Sequence, residues 1–258
     1  MKEFQNIKFR IEDRVARITF ARPPLNIFNL AMMREIGDAL SQSAQHRDLA
    51  AIVFDAADGS RAFSAGVAVE EHVAETVFQM LDSFHSIFRT LAQISKPVVG
   101  VVDGAALGGG CELVAACDIV VASDRARFGQ PEIKLGVFPP VAAVLLPRII
   151  GDKKAREMIL LGEIIEAGEA LRLGLVNHVT PSSELNQQTE AVLAKLRELS
   201  SSSLQITRTA LELARRGNFE FALTEVENLY LHELMQTPDA TEGVQAFMDK
   251  RKPEWRNK

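Results

Sequence analysis

Residues 98–123 read VVGVVDGAALGGGCELVAACDIVVAS. Two short β-branched runs, at 97–103 and 119–122, flank a glycine-rich turn and an apolar stretch, which is typical of two buried strands joined by a helix. We expect the first strand to end at Asp103-Gly104 and the helix to open with Gly108-Gly109-Gly110. Strands that alternate with helices in this way predict an α/β domain with largely buried sheets.

The three glycines in front of this helix allow two interpretations. They let the backbone come close to a ligand and leave free N–H groups at the positive end of the helix dipole, which favours an anion. They equally suit tight packing of the helix against the strand. The segment has neither the Gly-Lys-Ser/Thr of a Walker loop nor a Gly-x-Gly-x-x-Gly fingerprint, so a nucleotide-phosphate site has little support.

Two glutamates and one turn are candidates for chemistry. Glu112 lies in the first turn of the predicted helix, where it either complements the helix dipole or is buried with a raised pKa that suits proton transfer. Glu132, in the FGQPEI of residues 128–133, is interpreted as part of irregular chain after a strand, where catalytic groups are often held and where solvated glutamates are also common. The turn RAFSAGV at 61–67 offers a backbone N–H after Gly66 or is only a turn.

The rest of the chain changes character near residue 180. Before it, periodicity predicts strands at 15–20 and 50–56 and a helix at 76–94. After it, no strand is expected, and amphipathic helices are predicted at 184–199, 204–216, 219–235 and, beyond a stop at Pro238, 240–250. The map is therefore an α/β core to about residue 195 followed by a helical C-terminal section, which carries apolar faces too large to leave in water.

Composition excludes several classes of protein. The chain has 258 residues with a net charge of −5, which argues against a nucleic-acid platform. No apolar run approaches the roughly 20 residues that span a membrane, and the polar residues 1–6 do not form a signal peptide. The two cysteines and five histidines lack the spacings of a disulfide framework or a metal site. We expect a soluble, reduced, cytoplasmic protein without a bound metal.

Three segments, taken together, resemble the crotonase superfamily of enoyl-CoA hydratases and isomerases. They are AFSAG at 62–66, GAALGGGCE at 104–112 and QPE at 130–132, in the order and spacing of that family. The similarity extends to RPPLN at 22–26 and to the segment from Glu242 to Arg251, and so covers nearly the whole chain. It implies an α/β crotonase fold, with a ββα spiral core and acyl-CoA site in residues 1–195 and a C-terminal helical trimerisation section in residues 196–258.

The resemblance also assigns roles at the reacting centre. The backbone N–H groups of Val67 and Gly109 would form an oxyanion hole for the thioester oxygen of an acyl-CoA substrate. Glu112 and Glu132 would flank one water as acid and base, with the two roles unassigned between them. Isomerases of the family commonly keep one glutamate, and decarboxylases and thioester hydrolases often lack one or both. The presence of both therefore favours hydration of a conjugated thioester.

The family further implies how coenzyme A is held, as part of the substrate rather than as a bound prosthetic group. The implied CoA-binding residues are Arg22, Leu25, Arg61, Ala62, Ser64, Ala65, Gly66, Phe247 and Lys250. The last two match tail positions that often cover the CoA of a neighbouring subunit, although ordinary helix packing and a solvated charge explain them equally. A homo-oligomer, either a trimer or a dimer of trimers, is implied as the assembly.

Two departures from the common family pattern concern substrate choice. Residues 136–144 read GVFPPVAAV where common hydratases have a glycine-rich run, so Val137, Phe138, Pro140 and Val141 are expected to line an apolar acyl pocket. This segment resembles the dienoyl-CoA hydratases of anaerobic aromatic degradation, which hydrate cyclohexa-1,5-diene-1-carbonyl-CoA by addition at the far end of the diene. Ala68 stands where an aspartate is common, and a polar contact in the loop is lost there.

Other functions stay open at this point. A general enoyl-CoA hydratase, or an isomerase or hydrolase on the same scaffold, would keep most of these features. A non-catalytic acyl-CoA-binding protein is the alternative from another class, and the pair of glutamates speaks against it. A serine hydrolase acting through Ser64 is disfavoured because no Gly-x-Ser-x-Gly elbow surrounds that residue.

Overall fold

Two β-sheets with helices packed around them make up the described part of the chain, residues 4–215 and 217–257 of a computed structural model. Residues 1–3 of the polar N-terminus, Arg216 at the predicted end of one helix, and Lys258 fall outside these ranges. Within the ranges, no helix is both long enough and apolar enough to cross a membrane.

Ten strands are described, most of them short. They are β1 (Ile7–Glu12), β2 (Val15–Phe20), β3 (Ala51–Ala56), β4 (Ala62–Ser64), β5 (Val98–Val102), β6 (Ala105–Leu107), β7 (Ile119–Ser123), β8 (Arg127–Gly129), β9 (Ile164–Glu166) and β10 (His178–Thr180). The first sheet has the order β1-β2-β3-β5-β7-β10 and is parallel except for the β1–β2 hairpin. The second has the order β4-β6-β8-β9, with only the β8–β9 pair antiparallel.

Ten α-helices connect and cover these sheets in the described ranges. They are α1 (Leu30–Gln45), α2 (Val77–Gln93), α3 (Gly109–Ala115), α4 (Pro140–Ile150), α5 (Asp152–Leu161), α6 (Ala167–Leu173), α7 (Leu185–Arg197), α8 (Ser201–Leu213), α9 (Phe219–His232) and α10 (Pro238–Met248). A 3₁₀ helix, Pro131–Leu135, follows β8 directly.

The spiral core predicted from the family resemblance is present. Three successive units each contribute one strand to the first sheet, the next strand to the second sheet and then a helix: β3-β4-α2, β5-β6-α3, and β7-β8 with the 3₁₀ helix. Parallel strands covered on both faces carry continuous apolar runs, and every residue of β5 is buried accordingly. Because the units repeat, the chain leaves the second sheet three times along one side, at 65–68, 108–109 and 130–132.

Four strands of the first sheet are confirmed, whereas β1, β10 and the strands of the second sheet were not foreseen. Strands at 15–20, 50–56, 97–103 and 119–122 and the helix at 76–94 match β2, β3, β5, β7 and α2 within a few residues. The segment 61–67, interpreted as a turn, begins with strand β4, and the irregular chain expected around Glu132 is a 3₁₀ helix. Three-residue strands are too short for a period of two to be recognised.

The C-terminal section is helical as predicted, with one boundary corrected. Pro238 does not stop a helix but begins α10, because a proline at the first helical position loses no hydrogen bond. Thr237 caps that helix by accepting the N–H of Ala240 at 3.1 Å. The carboxylate of Asp239, buried at the start of α10, accepts bonds from Ser200 and from the N–H groups of Arg256 and Asn257.

Arg208 ties α8 to the core and predicts a measurable loss of stability. Arg208 is 5% exposed, and its guanidinium pairs with Asp118 at 2.7 Å and donates to the carbonyl oxygens of Leu91 and Ile94 at the end of α2. Arg208→Met removes the cation beside Asp118 and the donors to both carbonyl oxygens, and we expect the free energy of unfolding in urea to fall by about 3 kcal/mol. Arg10→Met is the control, since Arg10 and Glu12 form an exposed pair worth less than about 1 kcal/mol. Equal effects of the two changes would contradict this role.

Candidate active site

The candidate site is built where β6 ends and α3 begins. Gly108, between them, has a φ of +51°, a conformation that glycine adopts without strain. A Cβ at this position would lie 2.6 Å from Oε1 of Glu132. Glycine at 108 therefore satisfies the backbone turn and lets the Glu132 carboxylate lie directly against the start of the helix.

The segment that leaves β4 runs against the same helix start. Gly66 has a φ of +100°, and a Cβ there would lie 3.0 Å from the carbonyl oxygen of Leu107 and 3.4 Å from the nitrogen of Gly109. A Cβ on Gly109 would in turn lie 3.0 Å from Cγ2 of Val67 and 2.7 Å from Cζ of Phe84. The segment after β4 and the start of α3 are therefore so close that a Cβ at Gly66 or Gly109 would press on the other segment.

This approach brings two candidate N–H donors together. Phe28 donates its N–H to Gly66, and Ala68 donates its N–H to Phe28, so the N–H of Val67 between them points away from Phe28. The N–H of Gly109 belongs to the first turn of α3, where helical N–H groups have no partner within the helix, and Gly108 supplies no side-chain cap. The predicted pair Val67 and Gly109 therefore lies side by side.

Glu112 is buried on α3, whose seven residues are all buried. Its side chain is 2% exposed, and Oε1 accepts the N–H of Ala142, in the first turn of α4, at 2.8 Å. Burial raises the pKa of Glu112 to about 8, and the nearby charge of Glu132 adds to the rise while the α4 N–H groups oppose it. The carboxyl group consequently titrates near neutral pH instead of near 4.

Glu132 is held by the 3₁₀ helix that follows β8. Burial raises the pKa of this carboxyl group to about 7. The fully buried amide of Gln130, in the orientation that satisfies both of its ends, donates to Oε1 and Oε2 of Glu132 at 3.2 Å each. Two carboxyl groups that are 20 residues apart in sequence therefore both titrate within the range of general acid–base catalysis at neutral pH.

A single cavity of about 390 Å³ joins these groups. It is lined by both glutamates, by Gly66, Val67 and Gly109, and by an apolar wall formed mainly by residues 77–84 of α2 and 135–140. Of the predicted acyl-pocket residues, Val137, Phe138 and Pro140 lie on this wall. Val141 does not: it lines a second cavity on the other side of Pro140.

The residues predicted to hold coenzyme A are divided between the rim, the interior and the far C-terminus. Leu25 and Arg61 are exposed, and Ala65 and Gly66 line the cavity. Phe247 and Lys250 are exposed on and just after α10, and neither lines the cavity of the single chain.

Among the residues predicted to bind coenzyme A, the polar side chains of Arg22 and Ser64 are hydrogen bonded within the protein, and Ala62 is buried. The Arg22 guanidinium donates to the carbonyl oxygen of Ile27 at 2.9 Å. The hydroxyl of Ser64 is fully buried, donates to the carbonyl of Asn26 and accepts the N–H of Gly66. Ala62 is fully buried in β4, and Ala68 is also buried.

Two contributors to the site were missed in the sequence. Gln130 precedes Glu132 by two residues and hydrogen bonds its carboxylate, but the sequence does not indicate which group an uncharged amide will bind. The N–H of Ala142 cannot be recognised from a side chain at all, because the backbone supplies the bond. Only the start of α4 at Pro140 indicates free N–H groups nearby.

The raised pKa of Glu112 predicts how stability depends on pH. In the unfolded chain this group loses its proton near pH 4.5, whereas in the folded protein it keeps the proton to about pH 8. The contribution to stability is thus complete below about pH 4.5 and is lost as the pH rises through 8. Glu112→Gln removes this dependence, so we expect its free energy of unfolding to fall between pH 5 and pH 8.5 by at least about 1 kcal/mol less than that of the parent protein.

Urea unfolding at both pH values checks this expectation. Glu12→Gln, on the exposed edge strand β1, is the matched control and keeps the pH dependence of the parent. An identical fall in the parent and in Glu112→Gln would show that the carboxyl group of Glu112 is ionised in the folded protein at pH 5.

Comparison with known proteins shows the family and the fold of the chain. The sequence profile of the family described as enoyl-CoA hydratase/isomerase matches residues 10–258. A probable enoyl-CoA hydratase of Mycobacterium bovis is 36% identical over 98% of each chain, and a cyclohexa-1,5-dienecarbonyl-CoA hydratase of Thauera aromatica is 36% identical over 94% of this chain and 93% of that one. The crystal structure of an enoyl-CoA hydratase from Mycobacterium smegmatis superposes with a TM-score of 0.92 at 30% identity, covering 97% of this chain and 99% of that one. The chain belongs to the enoyl-CoA hydratase/isomerase family and has the crotonase fold.

Proposed function

We propose that this protein is a hydro-lyase that adds water to the conjugated double bond of an acyl-CoA thioester. The observation that carries the proposal is the pair of glutamates, the buried Glu112 and the half-buried Glu132, which line one cavity with the backbone of Val67 and Gly109. A family member that only isomerises or only binds its ligand has no need for two carboxyl groups that both titrate near neutral pH.

The two N–H groups act on the thioester. When water adds to the conjugated system, negative charge moves onto the thioester oxygen and an enolate forms. Donors fixed by Gly66, Gly108 and the start of α3 meet that charge without reorganising, and the positive end of the α3 dipole adds to their effect. Losing one such donor typically costs about 10²–10³ in rate.

The two carboxyl groups move the protons. One carboxylate accepts a proton from the attacking water as the oxygen bonds to the electrophilic carbon of the conjugated system. The other carboxyl group then gives a proton to the enolate carbon, which restores the thioester carbonyl and completes addition of one water molecule. The two carboxyl groups titrate as a coupled pair. The reaction therefore requires one proton shared by the pair, and it is not assigned to either glutamate.

For the acyl group we propose a cyclic dienoyl thioester, cyclohexa-1,5-diene-1-carbonyl-CoA, as met in anaerobic degradation of aromatic compounds. The apolar wall formed by Val137, Phe138 and Pro140 supports a flat hydrocarbon ring, and the Thauera aromatica relative is named for this substrate. A general enoyl-CoA hydratase is the second candidate, because the Mycobacterium bovis relative of equal identity is named simply as one.

Loss of ultraviolet absorbance from the conjugated thioester tests both steps of the proposal. We expect faster hydration of the cyclic dienoyl-CoA than of crotonyl-CoA. Glu112→Gln and Glu132→Gln should each lower kcat by about 10²–10⁴, because a general acid or base is removed while the shape of the side chain is kept. Glu12→Gln, an exposed glutamate on β1, should leave kcat unchanged.

The outcomes separate the candidate functions. A preference for crotonyl-CoA would indicate a general hydratase and remove the argument from the 137–140 wall. Binding of a saturated acyl-CoA without turnover of either unsaturated ester would point to an isomerase, a hydrolase or a non-catalytic acyl-CoA-binding protein. Full activity in both Gln variants would exclude the two-glutamate mechanism.

We also propose that the chain works as a homotrimer, alone or as a pair of trimers, in which Phe247 and Lys250 cover the CoA of a neighbouring subunit. Support comes from the C-terminal helices, which leave large apolar side chains in water. Those on α9 and α10 include Phe219 (74% exposed), Phe221 (56%), Val244 (54%), Phe247 (85%) and Met248 (61%). Apolar exposure of this extent marks an interaction surface.

Sedimentation equilibrium measures the assembly directly. We expect about 85 kDa, three times the 28.4 kDa of one chain, or twice that mass for a pair of trimers. Phe219→Glu combined with Phe221→Glu should lower the mass, because the charges would be buried in the contact. Phe78→Glu is the control, since Phe78 is equally exposed, at 84%, but lies on α2. A monomer at micromolar concentration would contradict the proposal.

A further inference from the structure

A short segment connects the candidate oxyanion donor Val67 to α2. Residues 69–76 begin with a 3₁₀ helix, Val69–His72, none of whose residues is buried. The residues at 73–75 that follow this helix are exposed as well. Burial of apolar side chains therefore does little to hold the segment, and its position depends on hydrogen bonds.

One hydrogen bond joins this segment to a distant part of the chain. Oε1 of Glu71 accepts the N–H of Leu30, the first residue of α1, at 3.0 Å. The other hydrogen bonds described for residues 69–76 join them to neighbours at 68–80, such as the bond from Thr76 to the carbonyl oxygen of Glu71. Glu71 therefore supplies the polar contact that holds the segment against α1.

The start of α1 suits a carboxylate. The first N–H groups of a helix have no partner within the helix, and the helix dipole is positive there. Asn29 caps α1 by accepting the N–H of Met32 at 2.9 Å. Glu71 accepts the N–H of Leu30 in the same turn. Two side chains thus satisfy the free N–H groups of α1, and one of them comes from the segment beside Val67.

The bond from Leu30 extends the backbone pairing that places the candidate oxyanion donor. Phe28 donates its N–H to the carbonyl oxygen of Gly66 at 2.8 Å and accepts the N–H of Ala68 at 2.9 Å. This pairing ends at Ala68, whose side chain has no polar group. Beyond it, the bond between Glu71 and Leu30 keeps the same two stretches of chain together, because Leu30 follows Phe28 by two residues.

The carboxyl group of Glu71 makes this contact with one of its two oxygens. Its Oε2 is buried and has no hydrogen-bond partner among the described residues. Replacing that oxygen by an amide therefore loses no hydrogen bond. Glutamine keeps an acceptor oxygen on a side chain of the same length, so it is able to accept the N–H of Leu30, whereas alanine is not.

We propose that Glu71 is a positioning residue, whose bond to Leu30 fixes the N–H of Val67 for donation to the thioester oxygen of the acyl-CoA substrate. The inference rests on the proposed hydratase function, in which that N–H meets the charge that develops on the oxygen. A displaced donor stabilises the transition state less, while the rest of the substrate keeps its contacts. Loss of the bond therefore lowers kcat more than it raises KM.

The thioester carbonyl reports the position of the donor without turnover. Infrared difference spectroscopy would record the carbonyl stretch of bound cyclohexanecarbonyl-CoA, a saturated ester that cannot be hydrated, with an isotopic label at that carbon. Hydrogen bonds weaken the C=O bond, so binding to the parent protein should lower the stretching frequency. Glu71→Ala should lose at least about half of this shift, because one of two donors is displaced. Glu71→Gln should retain most of it.

Steady-state hydration of the faster of the two unsaturated esters gives a second readout. We expect Glu71→Ala to lower kcat by about tenfold, which is part of the roughly 10²–10³ that removal of a donor costs, with KM changed by less than about twofold. Glu71→Gln should restore kcat to within about threefold of the parent protein, because the hydrogen bond is kept.

Two controls separate this role from a general loss of stability. Glu35→Ala removes a carboxylate that accepts the N–H groups of Gln5 and Asn6, at 3.0 and 2.8 Å. None of these three residues lines the catalytic cavity. Glu70→Ala removes the exposed charge next to Glu71. Both variants should leave the infrared shift and kcat unchanged.

Leu30→Pro removes the other end of the bond. Proline is tolerated at the first helical position, and Asn29 before it has the extended backbone, with φ −103° and ψ 169°, that a following proline requires. This variant should lose the same part of the shift as Glu71→Ala, and combining the two changes should cause no further loss. It decides the matter if Glu71→Ala does not fold.

A full carbonyl shift in Glu71→Ala would overturn the proposal, as would the absence of a shift in the parent protein, equal losses in either control, or a Gln variant no better than the Ala variant. Failure of the hydratase function is visible separately, as absence of absorbance loss with both unsaturated esters in the parent protein. The infrared comparison remains decisive in that case, because it requires no turnover.

Discussion

Gly109 and Gly110 let the start of α3 lie against the segment that leaves β4 with no side-chain atoms between them. A Cβ on Gly110 would lie 2.5 Å from the carbonyl oxygen of Ser64, and one on Gly109 would meet Phe84 and Val67. This backbone contact joins two of the repeated ββα units and fixes the relative position of the two candidate oxyanion donors. It also places the positive end of the α3 dipole beside these two donors, so the same backbone contact determines both their position and the electrostatic potential around them. An alanine at 110 would clash with the backbone of Ser64 and push the two units apart, whereas an alanine at 109 would clash with the side chains of Phe84 and Val67.

The same burial that creates the site has an energetic cost. Glu112 and Glu132 would each be more stable as ionised groups in water, and enclosure raises both pKa values, to about 8 and about 7. The protein offsets only part of this cost, through the Ala142 N–H on Glu112 and the Gln130 amide on Glu132. Complete compensation would return the two carboxyl groups to ordinary acidity and make them unsuited to the proton transfer that the proposed function requires at neutral pH. Incomplete satisfaction is therefore consistent with function.

The sequence predicted the four central strands of the first sheet but neither its edge strands β1 and β10 nor the second sheet, for a physical reason. Buried strands such as β5 and β7 carry runs of β-branched residues, which identify them as strands in the sequence. The strands β4, β6 and β8 are three residues long and are stabilised by their neighbours rather than by their own pattern. The site depends on the ends of these short strands. Family resemblance predicted that Val67, Gly109 and the two glutamates act together, and the structure shows them lining one cavity. The N–H of Ala142 could not be predicted, because a backbone donor does not depend on the residue type.

Under the proposed function, acid strength and acyl selectivity are not independent, because the start of α4 affects both. Pro140 begins that helix and lines the catalytic cavity, and the N–H groups of Val141 and Ala142 in the same turn act on the Glu112 carboxyl group. These N–H groups belong to the positive end of a helix, which favours the ionised carboxylate. A change in the apolar segment 136–140 that moves the helix start would reshape the acyl pocket and shift the pKa of Glu112 together. Under the proposed function, the segment GVFPP then bears on the chemistry as well as on the shape of the pocket, since proline at the first helical position fixes where the donors lie.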